Sequence, residues 1–114
     1  MNPLEQFREI ITAYGKHGWR LRRVLMRTET RAQMPDDAAA LEEFFEGAAI
    51  EESSVDALWF ARPSHEGREA WELRHVAATP YALFETFEAD EAEEDREDVR
   101  REMLARLRER VNSE

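Results

Sequence analysis

Apolar residues recur at helical spacing near the start of the chain: Leu4, Phe7, Ile10, Ile11 and Tyr14 line one face. Asn2 is placed to cap that helix, Pro3 suits its first position, and Glu5 completes an Asn-x-x-Glu start. Gly15 and Gly18 are stop signals. The spacing predicts a helix over 3–15. The pattern then changes to period two. From Trp19 to Thr28, one parity holds Trp19, Leu21, Arg23 and Leu25, and the other holds Arg20, Arg22, Val24 and Met26. This is a strand whose alternation blurs toward its far end, as expected for burial on both faces there.

Pro35 breaks the chain, and Asp36 or Asp37 can cap a short helix through Ala38–Ala40, with Leu41, Phe44 and Phe45 on one side and Gly47 closing it. Three strands follow, over 55–62, 69–76 and 81–88, joined by the turn at Pro63–Gly67 and the link Ala78-Thr79-Pro80. Two short connections in succession predict an antiparallel meander. A long helix over 90–111 ends the pattern, with Val99, Met103, Leu104, Leu107 and Val111 as its apolar stripe. The expected fold class is α+β: one domain over 1–114, with a small antiparallel sheet of about four strands, one plus the three-strand meander. Amphipathic helices from the two termini pack it, and a short helix follows the first strand.

The strands look apolar on both parities. If the terminal helices cover one face, the other should be polar, yet it carries Val24, Met26, Leu58, Phe60 and Phe84. These five residues are therefore the expected interface. The candidates to cover them are the short Leu41/Phe44/Phe45 helix, a second copy of the chain, or a different protein.

Charge adds a second layer. The 114 residues carry 26 acids and 16 bases, a formal net charge of −10. Such a chain repels phosphate backbones and anionic membrane surfaces, which disfavours nucleic acid as a partner, and it is drawn toward basic surfaces. The charge is unevenly spread. Lys16, Arg20, Arg22, Arg23, Arg27 and Arg31 face only Glu29 in their segment, whereas 36–56 holds eight acids and no base. In the last helix, acids crowd the start and Arg106, Arg108 and Arg110 the end, which matches the helix dipole. Glu97→Arg101 and Glu102→Arg106 have the spacing of stabilising pairs. Structure alone accounts for the acidic run.

Site chemistry is sparse. Without cysteine there is no disulfide, no thiolate metal site and no thiol nucleophile. His17, His65 and His75 are scattered over a helix end, a turn and a strand, without metal-ligand spacing. No serine lies in a nucleophile-elbow pattern, and four glycines build no phosphate-cradling loop. No cofactor and no metal are expected. No apolar run is long enough for a membrane span or a leader, which places the chain in the cytoplasm as an expectation. The most pointed feature is the basic strand. Arg20, Arg22, Arg27 and Arg74 can form a cationic stripe, with His75 as a further polar anchor, suited to an anionic ligand or an acidic peptide. Cross-strand pairing with Glu72, Glu85 or Asp56 is the competing explanation.

Three functions follow as expectations. The first is a non-catalytic interaction or adaptor module that self-associates through its apolar sheet face, as a homodimer or with a protein partner. The second is a binder of a small anionic ligand, or an enzyme, with a pocket between sheet and helices. The third is an acidic antagonist of a basic surface.

Overall fold

A computed structural model describes residues 2–114. The elements run α1 (Pro3–Gly15), β1 (Arg20–Met26), α2 (Thr28–Ala32), α3 (Ala38–Phe44), β2 (Ala49–Glu52), β3 (Ala57–Pro63), β4 (Glu69–His75), β5 (Ala82–Phe87) and α4 (Glu93–Asn112), with a single 3-10 turn at His65–Gly67. The starts of α1 and α3 behave as their capping chemistry dictates. Asn2 Oδ1 accepts from the Glu5 amide at 3.0 Å, and Asp37 accepts from the Ala39 and Ala40 amides. Gly47, with φ +78°, closes α3 by donating its amide to the Glu42 carbonyl.

The five strands form one sheet in the order β2-β1-β3-β4-β5. The meander β3-β4-β5 is antiparallel and β1 pairs antiparallel with β3. The fold is α+β as expected, but the sheet is mixed rather than purely antiparallel. β2 is a fifth strand that runs parallel to β1, pairing Val24 with Ile50. A parallel neighbour needs a crossover, and the two short helices α2 and α3 supply it.

A bulge explains the blurred alternation in β1. The register steps from Leu21↔Phe60 to Arg23↔Trp59, leaving Arg22 as an extra residue. Leu21 therefore shares a face with Val24 and Met26, while Arg23 and Leu25 turn to the other. Two separate apolar clusters result. Phe7, Leu21, Val24, Met26, Leu41, Phe45, Leu58 and Phe60 pack with partly buried α1 residues on the first face. Leu25, Trp59, Trp71, Leu73 and Phe87 pack with Met103 and Leu107 of α4 on the second.

This arrangement corrects the interface expectation. The terminal helices lie on opposite faces of the sheet, not on one. Val24, Met26, Leu58 and Phe60 are 0 %, 1 %, 0 % and 1 % exposed, roofed by α1 and α3 of the same chain. The apolar second face is real, and this chain covers it. Of the five residues, only Phe84 reaches solvent, at 56 % exposure. No helix among the described residues is long and apolar enough to cross a membrane.

Candidate functional site: an arginine cleft at the end of the sheet

Where β1 begins and β3 ends, the sheet edge opens into a cleft of about 450 Å³ lined by Arg20, Leu21, Arg22, Ala61, Arg62, Pro63 and Glu69. Antiparallel pairing sets Arg20 opposite Ala61, which brings the start of one strand beside the end of the other. The Arg22 bulge swings a second guanidinium to the same rim. Leu21, Ala61 and Pro63 provide an apolar floor.

The three arginines are differently held. Arg62 is braced: its Nη1 donates to the His17 carbonyl at 2.7 Å, and its guanidinium lies 4.4 Å from the Trp19 ring centre. Arg22 stacks over Trp71 at 5.0 Å and reaches Glu69 only at 3.9 Å, with 49 % of its side chain exposed. Arg20 makes no ion pair among the described residues. Glu69, the one carboxylate of the cleft, is shared. Its Oε1 accepts from the Trp71 indole at 2.6 Å and lies 3.5 Å from Arg96. Arg62 lines the cleft, but its guanidinium turns to the α1 face of the sheet, the face of Phe60, whereas Arg22 and Glu69 lie on the Trp71 face, as does Arg20 opposite Ala61. Two arginines thus share a rim with a single carboxylate that already serves another arginine.

The remaining predicted residues lie elsewhere. Arg27, at the far end of β1, is neutralised by cross-strand pairing. Its amide donates to Asp56 Oδ1 at 2.8 Å and its Nε to Oδ2 at 3.3 Å, while Thr30 donates to the same carboxylate at 2.7 Å. Arg74 donates to the His75 carbonyl. His75 is half-buried, and burial pushes its pKa below the ordinary histidine value. The four arginines therefore form no single stripe: Arg20 and Arg22 share the cleft, while Arg27 and Arg74 are bonded elsewhere. Between helix α1 and the sheet a separate cleft of about 340 Å³ is lined by Tyr14, His17, Trp19, Arg62 and Glu72. Sequence reasoning missed Arg62 because its nearness to Arg20 depends on the β1–β3 register. The signal available was an arginine next to Pro63 at a strand end.

Beside the cleft sits a second arginine cluster with a different role. Arg100 of α4 is only 2 % exposed and lies 3.9 Å from the Trp71 ring centre. Its Nη1 donates to Glu93 and Glu97, both at 2.8 Å. Arg23 grips Glu97 with two bonds of 3.1 and 2.9 Å. The Arg23 fork, backed by Arg100, holds the Glu97 carboxyl below the usual carboxylate range against the opposing effect of burial. Glu97 thus faces the sheet, and Arg101 pairs with Asp98 rather than with Glu97 as its spacing suggested.

Comparison of the chain with protein-family models, with curated proteins and with solved structures gives no match.

Proposed function

We propose that the protein is a binding module that takes an anionic group, a carboxylate or a phosphate, in the cleft beside Arg20 and Arg22. The observation that carries this reading is the charge imbalance: Arg20 and Arg22 line one cleft whose carboxylate, Glu69, is also engaged by Arg96 and Trp71. Guanidinium forks suit planar and tetrahedral oxyanions because they can bond two oxygens at once. Recognition is the role assigned here rather than catalysis. The cleft lining offers no nucleophile, and Glu69, its one candidate base, is already bonded and paired. The acidic remainder of the molecule steers against polyanions and favours a small ligand or a single acidic side chain.

Calorimetric titration with citrate and with inorganic phosphate tests the reading. The expected result is saturable binding that weakens as sodium chloride rises and falls at least tenfold in the Arg20→Ala/Arg22→Ala double variant. No saturable heat with either anion, or binding indifferent to the double substitution, overturns it. The self-association reading keeps no support from the buried face, and concentration-dependent sedimentation by the wild-type chain would be needed to revive it.

A further inference from the structure

The two edges of the sheet are protected unequally. β2 is four residues long and ends in Glu51 and Glu52. Short, charged edge strands resist pairing with other chains. β5 is the opposite edge and reads Ala82-Leu83-Phe84-Glu85-Thr86-Phe87, with one charge, no proline and high strand propensity. The His75 amide donates to the Tyr81 carbonyl. Antiparallel ladders alternate between bonded and non-bonded pairs. Leu83, Glu85 and Phe87 therefore direct their backbone groups at β4, and Ala82, Phe84 and Thr86 direct theirs away from the sheet, where the Thr86 amide donates to the side chain of its neighbour Glu85 at 3.3 Å, a local contact an incoming strand would displace. Phe84 is the most exposed large apolar side chain among the described residues, packed edge-on against Trp19 at 6.3 Å. Tyr14, Trp19 and Glu72 line a cleft of about 340 Å³ nearby.

Charge selects what could pair there. From Ala82 to Asp95 the chain carries seven acids and no base. The basic residues next to this segment are engaged. Arg96 donates to the carbonyls of Glu88, Ala89 and Glu91, and Arg68 pairs with Glu88 and Glu66. At the Tyr81 end, Arg110 stacks on the Tyr81 ring at 4.1 Å, with Arg106, Glu109 and Glu114 around it. Arg74 bonds the His75 carbonyl. A second copy would bring another −10 to an edge already acidic.

We infer that the free edge of β5 accepts an extended, basic segment of a partner protein as a sixth strand. Main-chain bonds to Ala82, Phe84 and Thr86 supply affinity, and alternate side chains supply specificity. One apolar side chain covers Phe84, and lysines or arginines lie beside Glu85 and the Glu88–Glu91 turn.

Selection of a random twelve-residue phage library on the full-length protein tests this. Enriched peptides should hold more lysine and arginine than acid, alternating with β-branched or aromatic residues. Their synthetic forms should bind at least tenfold more weakly to Thr86→Pro, which removes one outward amide at an edge position that tolerates proline. N-methylation of alternate residues along one edge of the peptide should abolish binding, while methylation of the other edge should not. That arm stands even if Thr86→Pro fails to fold. The Arg20→Ala/Arg22→Ala variant should bind these peptides like wild type, which separates this surface from the anion cleft. Absence of enrichment, acidic or proline-rich winners, binding indifferent to both blocks, or a wild-type dimer that Thr86→Pro dissociates would each overturn the proposal.

Discussion

Arginine serves two opposite purposes within a short reach of Trp71. Under α4, Arg23 and Arg100 meet Glu93 and Glu97, two cations for two anions, and the four groups clamp the helix to the sheet. At the end of the sheet, Arg20 and Arg22 line a cleft whose one carboxylate, Glu69, is reached by Arg22 at 3.9 Å. The residue type is the same, and the ring of Trp71 carries Arg22, Arg23 and Arg100 alike. What differs is where the chain places carboxylates. Paired arginines hold the fold together, and under-paired ones are left to meet a ligand. α4 depends on the first kind because it is so polar: Met103 and Leu107 are its buried apolar anchors, and the Arg100 stack extends the contact toward its start.

The strongest way to break this contrast is Arg100→Ala. It removes a buried cation from the Trp71 and Phe87 rings together with its bonds to Glu93 and Glu97, and unfolding in urea should show a loss of about 3–4 kcal/mol. A loss below about 1 kcal/mol would place Arg100 among the surface pairs. Glu97→Gln should cost less, about 1.5–3 kcal/mol, because it weakens charge-assisted bonds from Arg23 and Arg100 without emptying the site.

Acid should act in the same direction in two steps. Burial lowers the pKa of His75 in the folded state, so the unfolded chain binds that proton first and stability falls as pH drops below ~6.5. The Glu97 pKa is also depressed, first by the Arg23 fork. Its contribution is present above the ordinary glutamate pKa and is lost as pH falls through the lower folded value. Urea midpoints measured from pH 7.5 to 3 should show both steps, with His75→Gln removing the upper one and Glu97→Gln flattening the lower. The smallest effect is expected in the cleft. Arg20→Ala/Arg22→Ala should change stability by less than about 1 kcal/mol while abolishing anion binding. A large loss of stability there would mean that the cleft arginines are structural too.

Much of the fold was legible because its signals are local. The Asn2–Pro3 start of α1, the Asp37 cap of α3 and the meander of β3, β4 and β5 each follow from residues a few positions apart. The strand β2 was not legible: Ala49–Glu52 is short, exposed and acidic, with neither alternation nor a hairpin turn to mark it. Nor was the side on which each helix packs. The apolar stripe of α4 does not encode which face of the sheet it meets, and that single unknown turned a covered core into an expected interface. The Arg22 bulge had a similar effect, since an extra residue reverses parity without leaving a compositional trace. Of the site, Arg20 and Arg22 were visible as basic residues on a strand. Arg62 lines the cleft only through the pairing register, with its guanidinium turned to Trp19, and Arg27 left the set because Asp56, 29 positions away in sequence, lies beside it in the fold.

The most direct measurement is site-resolved NMR of the arginine side-chain Nε–Hε resonances during a citrate titration at low salt. Arg20 and Arg22 should shift together along one saturable curve while Arg23, Arg27, Arg62 and Arg100 stay in place. Small, unsaturable shifts spread over all exposed arginines would contradict the division between clamping and ligand-binding arginines.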